Sequence, residues 1–180
     1  AEDPDGAGCD TGEVVGDEAE CTLRAAIEAA NAEGGGDISF AIDTGGIPTI
    51  GLGSPLPAIA STTTVDGTTQ PGAGRVAVVG TGEAAFTLAS GTGTLRGLAI
   101  RGASRSIRIT GGQDHRIEQV AVGTDATATA GDDATDYGVE IADAAGVTIS
   151  EVVAGGTTGV AVAPTATGTE VRDSSIGVFV

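Results

Sequence analysis

Three features of this sequence predict an all-β fold, a right-handed parallel β-helix closed at its N-terminal end by a short α-helix. The first is a repeat. From residue 84 onward, Phe86-Thr-Leu88, Ile107-Arg-Ile109, Val139-Glu-Ile141 and Val160-Ala-Val162 form one set of equivalent apolar runs. Leu95, Ile117, Ile149 and Val171 begin a second set, and Ile100, Val122, Ala154 and Ile176 line a third. Offsets are 21, 32 and 21 residues in the first set and 22, 32 and 22 in the others. A period near 22 with three short strands fits one coil of such a helix, and the long step is a coil carrying about ten inserted residues. The second feature is that only one stretch, Cys21 to Ala32, has clear helical periodicity. The third is composition. Three Phe, one Tyr and no Trp or Met leave the core to Val, Ile, Leu and Ala, and 31 Gly are available to turn corners. A Gly-rich chain poor in aromatics can also be disordered, but 40% hydrophobic residues in ordered alternation oppose that.

The 180 residues are expected to form one domain: a loop and capping helix over 1–36, then coils over 37–180. Residues 1–20 are acidic and without period, as a loop would be. In the helix over 22–32, Leu23 and Ile27 sit four apart beside Ala26 and Ala30, which makes one face apolar. Thr22 is placed to cap its start, and Gly34-Gly35-Gly36 to stop it. The apolar face is expected to pack on the open end of the stack, with Arg24 and Glu28 paired across one turn. Strands are predicted over 38–42, 49–52, 62–65 and 75–79, with Pro48, Pro55, Pro57 and Pro71 between them. The Ser61 to Thr64 run is β-branched and strand-compatible; its hydroxyls offer O-linked glycosylation as the alternative.

From 84 on, the register assigns inward positions to Phe86, Leu88, Leu95, Leu98, Ile107, Ile109, Ile117, Val120, Val139, Ile141, Ile149, Val152, Val160 and Val162. They join Leu23, Ile27, Ile38 and Phe40. It also stacks Arg96 on Glu118 and Arg108 on Glu140, as surface charge ladders. The insertion spans about 123–136. At ~4.8 Å per coil, about six coils make a rod on the order of 30 Å tall.

The stretch Cys21-Thr-Leu-Arg-Ala-Ala-Ile-Glu-Ala-Ala-Asn-Ala32 resembles the Cys-Ser-Leu-Arg-Glu-Ala-Ile motif of secreted right-handed parallel β-helix proteins. The resemblance continues through Gly36-Asp-Ile-Ser-Phe40, Gly53-Ser-Pro-Leu-Pro57 and Val65-Asp-Gly-Thr-Thr-Gln-Pro-Gly72, so it covers roughly residues 3 to 72. Ala25 departs from it, standing where many members carry the Glu of a capping box. A strand that members usually carry before the acidic segment is also missing. The resemblance implies a fold and an exported location, and no single activity.

A net charge of −17 argues against nucleic acid and anionic membranes as partners. All eight basic residues are Arg. No apolar run approaches the ~18 residues that span a bilayer. The chain begins with Ala1, as expected after removal of a signal peptide. Cys9 and Cys21, the only cysteines, flank a short acidic loop and are predicted to form a disulfide, again outside the cytoplasm. Two free thiols or half of a metal site are the alternatives; no further Cys supports them, and the one His is remote.

Catalytic chemistry is not expected, nor a cofactor. Asp125, Asp132, Asp133 and Asp136 in the insertion are weak Ca²⁺ candidates, but their spacing lacks the Glu of an EF-hand, and a solvated acidic loop is the simpler reading. His115 follows Asp114, and strand neighbours point to opposite faces, so no dyad forms there; a loop-tip His is expected. A polysaccharide lyase or hydrolase would need carboxylates stacked on one outward sheet, and no column holds three. An adhesive or glycan-binding module would need an aromatic or Arg-rich patch. A structural subunit needs only regular coils and self-complementary ends, and this is the favoured reading. The apolar strand Ser175-Ile-Gly-Val-Phe-Val180 has no cap after it. Head-to-tail homopolymerisation is therefore expected, with Ile176, Val178, Phe179 and Val180 meeting the end that holds Leu23 and Ile27. The alternative is a fragment of a longer solenoid.

Overall fold

The computed structural model describes residues 21–43, 45–129 and 135–177, together with the backbone of 14–15 and 18–19. It is mostly β, with parallel sheets and one short helix. Strands β1 (Val14–Val15) and β2 (Glu18–Ala19) pair antiparallel, in a region expected to be loop. Helix α1 (Leu23–Glu33) follows. Thr22 is extended, and its hydroxyl accepts the Ala25 N–H at 3.2 Å, so the cap forms without the capping-box Glu. Gly34, at φ 82°, ends the helix in the left-handed region.

Strands then succeed one another: β3 (Gly35–Ser39), β4 (Thr49–Gly51), β5 (Thr62–Asp66), β6 (Val76–Val79), β7 (Ala84–Leu88), β8 (Gly93–Arg96) and β9 (Leu98–Arg101). They continue as β10 (Arg105–Ile109), β11 (Arg116–Glu118), β12 (Ala121–Val122), β13 (Tyr137–Ile141) and β14 (Thr148–Ser150). The last are β15 (Val153–Ala154), β16 (Thr158–Val162), β17 (Glu170–Arg172) and β18 (Ser175–Ile176). β3 starts three residues earlier than predicted, inside the glycine run. A Cβ at Gly35 would lie 2.4 Å from the Thr62 carbonyl oxygen, so only glycine lets the chain begin the strand there.

From β5 onward each strand pairs in parallel with the strand three further on. Sheet one runs β3-β5-β8-β11-β14-β17, sheet two β4-β6-β9-β12-β15-β18, and sheet three β7-β10-β13-β16. The predicted columns are the observed ones. Leu95, Ile117, Ile149 and Val171 are cross-strand partners in turn, as are Ile100, Val122, Ala154 and Ile176. The columns also reach upstream, where no period was visible. Ile38 and Val65 precede Leu95, and Ile50 and Val78 precede Ile100.

The inward residues form one aliphatic core in which Leu95, Ile117, Ile149, Ile107 and Ile141 are fully buried. Val160 and Val162, predicted inward and buried, are an exception. Val160 is half-buried and Val162 is 48% exposed, because β16 is an edge strand with a neighbour on one side alone. A second, small cluster lies on the outward face of sheet two. Ala77, Ala99 and Ala121 stack there beneath Ile47, Ala126 and Ala128, so the start of the insertion is a cover over small side chains.

Leu95→Asp should destabilise by more than about 3 kcal/mol in chemical denaturation, since it buries an unpaired charge. Val162→Asp should cost less than about 1 kcal/mol, as exposed substitutions do. Equal costs would refute the assigned core.

Candidate functional site

The surface that departs most from an ordinary soluble exterior is the edge formed by the last three strands. Val162 (48% exposed), Val171 (45%) and Ile176 (44%) are the exposed large hydrophobics among the described residues. They come from β16, β17 and β18, one from each sheet. Each continues a column whose earlier members are buried: Ile141 under Val162, Ile149 under Val171, Ala154 under Ile176. The exposed face is thus the inner surface of one repeat, with parallel strand edges running along it.

Ile176 is the one C-terminal interface candidate that falls on this face; Val178, Phe179 and Val180 lie outside the described residues. Leu23 and Ile27 do not supply an opposite face. They are 6% and 0% exposed, buried in the chain's own core under α1, whose polar side chains fix it in place. Arg24 does not pair with Glu28. Its guanidinium donates to the Pro55 carbonyl (2.9 Å), the Ser54 carbonyl (3.0 Å) and the Ser54 hydroxyl (2.7 Å). Asn31 donates to the Ala58 carbonyl at 2.8 Å and accepts from the Ala60 N–H at 2.9 Å. These contacts lock the helix to residues 54–60, and helical spacing alone gave no sign of them.

Among the described residues, five of the eight Arg lie within 4.0 Å of a carboxylate. On the outward side of sheet three, Arg108 lies 2.7 Å from Glu83 and 3.1 Å from Glu140. Arg105 lies 2.7 Å from Glu140 and stands over the Tyr137 ring at 5.3 Å. The Arg108–Glu140 ladder is therefore present, extended by Arg105 and Glu83. The Arg96–Glu118 ladder is not: the register is right, but Arg96 turns the other way, to Asp66 at 3.0 Å and the Thr68 hydroxyl at 2.9 Å. Glu118 instead lies 3.7 Å from Arg116. Asp66 also accepts the Thr68 N–H and hydroxyl. Partial burial pushes the Asp66 carboxyl upward, but the Thr68 hydrogen bonds and the Arg96 charge outweigh it and hold the pKa below its ordinary value of 3.8.

His115 is not at a loop tip. It is fully buried, its Nδ1 accepting the Gly93 N–H at 2.8 Å and its Nε2 donating to the Gly111 carbonyl at 2.7 Å. Both ring nitrogens are spent on backbone, which fixes the tautomer and makes His115 a cross-brace between turns of the chain. Asp125 accepts from the Thr127 hydroxyl (2.6 Å) and the Thr129 N–H (2.7 Å), and Asp136 from the Ser104 hydroxyl (2.6 Å). Asp132 and Asp133 lie outside the described residues, and no group able to hold a metal occurs among the described ones. No described cysteine is free; Cys9, the predicted partner of Cys21, is outside the described residues.

A groove of about 320 Å³ is lined by Thr68, Gly74, Arg75, Gly97, Gln119 and Glu151. It follows a corner where Gly97, Gln119, Glu151 and Asp173 repeat a left-handed turn at φ 62°, 55°, 54° and 49°. Arg75 is turned to the Ala126 carbonyl and Gln119 donates to Glu151, so no acid–base pair is poised there.

Asp66→Asn should cost about 1.5–3 kcal/mol at neutral pH, the scale of hydrogen bonds to a charged group. Folding lowers this pKa, so the carboxylate contributes stability above the unfolded value and loses it as pH falls through the lower folded value. Denaturation curves should therefore converge for the two proteins in acid and separate above about pH 5. A gap that is constant with pH would contradict the assignment.

Comparison of the chain with protein-family models, with curated proteins and with solved structures gives no match, so the functional reading rests on the geometry above.

Proposed function

We propose that the chain is an extracellular structural protein. In this reading its three parallel sheets wind as a right-handed β-helix tied at the N-terminal end by a Cys9–Cys21 disulfide, and copies join head to tail through the terminal face. The resemblance of Cys21 to Ala32 to the N-terminal motif of secreted β-helix proteins supports export and the fold class. One observation carries the assembly reading: Val162, Val171 and Ile176 expose the inner surface of a repeat, one residue from each sheet. Isolated apolar residues on a surface are ordinary, but three at the edge of three stacked sheets form a template for further strands. The alternatives find less support. The Arg105–Tyr137–Arg108 group, the natural glycan-binding patch, is neutralised by Glu83 and Glu140. A lyase or hydrolase would need carboxylates free to act on one outward sheet, and on sheet three Glu83 and Glu140 are engaged by Arg105 and Arg108.

Light scattering across a concentration series, with negative-stain microscopy, tests this. The salt should be moderate, to screen the repulsion between chains of charge −17. The native chain should grow in mass and form short rods, while Val171→Asp and Ile176→Asp, both at exposed positions, should remain folded monomers. A native chain that stays a monodisperse monomer at high concentration contradicts the proposal.

A further inference from the structure

The self-association reading does not say which surface receives the terminal face, and the sheets differ at their opposite edges. Sheet one starts at β3, which is backed by α1. Sheet three starts at β7, whose edge is already bridged by Ile59: the Ile59 N–H donates to the Thr87 carbonyl at 2.8 Å, and its own carbonyl accepts the Ala89 N–H at 2.9 Å. Sheet two starts at β4, and the bonds of β4 run to β6 and its flanks. Its other edge has no partner among the described residues. Thr49 and Gly51 are exposed there, with Ile50 half-buried between them. At the far side of the same sheet, β18 is paired to β15 alone.

We propose that β18 of one copy pairs with β4 of a second copy, so that sheet two runs unbroken across the junction. This rests on the self-association reading above and names its partner surface. Among the described residues sheet two has two edges without a strand partner, and such a parallel sheet is self-complementary by translation, because one edge offers the hydrogen-bond pattern that the other accepts. The side-chain columns agree. Ile50, Val78, Ile100, Val122, Ala154 and Ile176 are one inward column within the chain, so Ile176 meets the Ile50 that begins the same column in the next copy. Outward, Ser175 meets Thr49, a polar pair at the surface. Within sheet two the junction repeats the strand contact already made between successive repeats, and it is heterologous, so each copy keeps an edge for another.

Cysteine pairing reads the register directly. Neighbouring parallel strands lie about 4.8 Å apart, within the range that a disulfide bridges. Thr49→Cys and Ser175→Cys are prepared separately, mixed under the conditions of the scattering series and mildly oxidised. A shift to covalent dimer in the mixture, and in neither variant alone, is the expected result. Association by light scattering with no covalent dimer in the mixture overturns the β18–β4 pairing and leaves head-to-tail assembly standing. A covalent dimer from Ser175→Cys alone places two terminal faces against each other and overturns the pairing too. Absence of association in the native chain removes both.

Discussion

Everything in this structure depends on inward aliphatic side chains lying over their equivalents in the neighbouring repeat. Ile38, Val65, Leu95, Ile117, Ile149 and Val171 make one such column, and each is covered by the next. Parallel strands have no tight hairpin to set their register, so the columns themselves must do it. A slip of one residue would turn every inward side chain outward. With Phe40 and Phe86 the only aromatic side chains among the buried core residues described, few large groups can fill a gap left by poor stacking. Burial therefore follows neighbours strictly: Leu95, Ile117 and Ile149 are fully buried, while Val171, covered on one side, is 45% exposed.

The outward side chains follow from the same stacking. Repeats bring residues of distant sequence onto one face at strand spacing, where opposite charges attract and like charges repel. Arg105 and Arg108 converge on Glu140 for this reason, and Arg96 reaches back to Asp66. Such pairs are worth little individually at an exposed surface, but in a chain of charge −17 they place the few cations beside the acids that are closest together. The insertion serves packing as well. It lays Ala126 and Ala128 over Ala77, Ala99 and Ala121, a column of residues too small to protect themselves from solvent.

The register from 84 onward was legible because apolar side chains recur there at 22 residues, interrupted by one longer step. Upstream, the steps from Ile38 to Val65 and from Val65 to Leu95 are 27 and 30 residues, and loops of unequal length hide the period although the columns continue. The helix and its Thr22 cap were legible from local chemistry. The anchoring of Arg24 to Ser54 and Pro55 was not, since its partners are backbone and hydroxyl groups about thirty positions away. His115 misled for a similar reason: flanking glycines and charges suggest a turn, yet buried backbone groups of Gly93 and Gly111 need a donor and an acceptor inside. Register gave which residues lie one above the other. It did not decide which way a long side chain turns, and Arg96 chose Asp66 over Glu118 because Thr68 adds a second acceptor there.

Whether the terminal face is completed by another copy is tested most directly by amide hydrogen exchange at low and high protein concentration. Amides of β18 and β4 should gain protection on concentration, while β9 and β12, already paired on both sides, stay unchanged. Protection of β18 and β4 that is independent of concentration would contradict the junction.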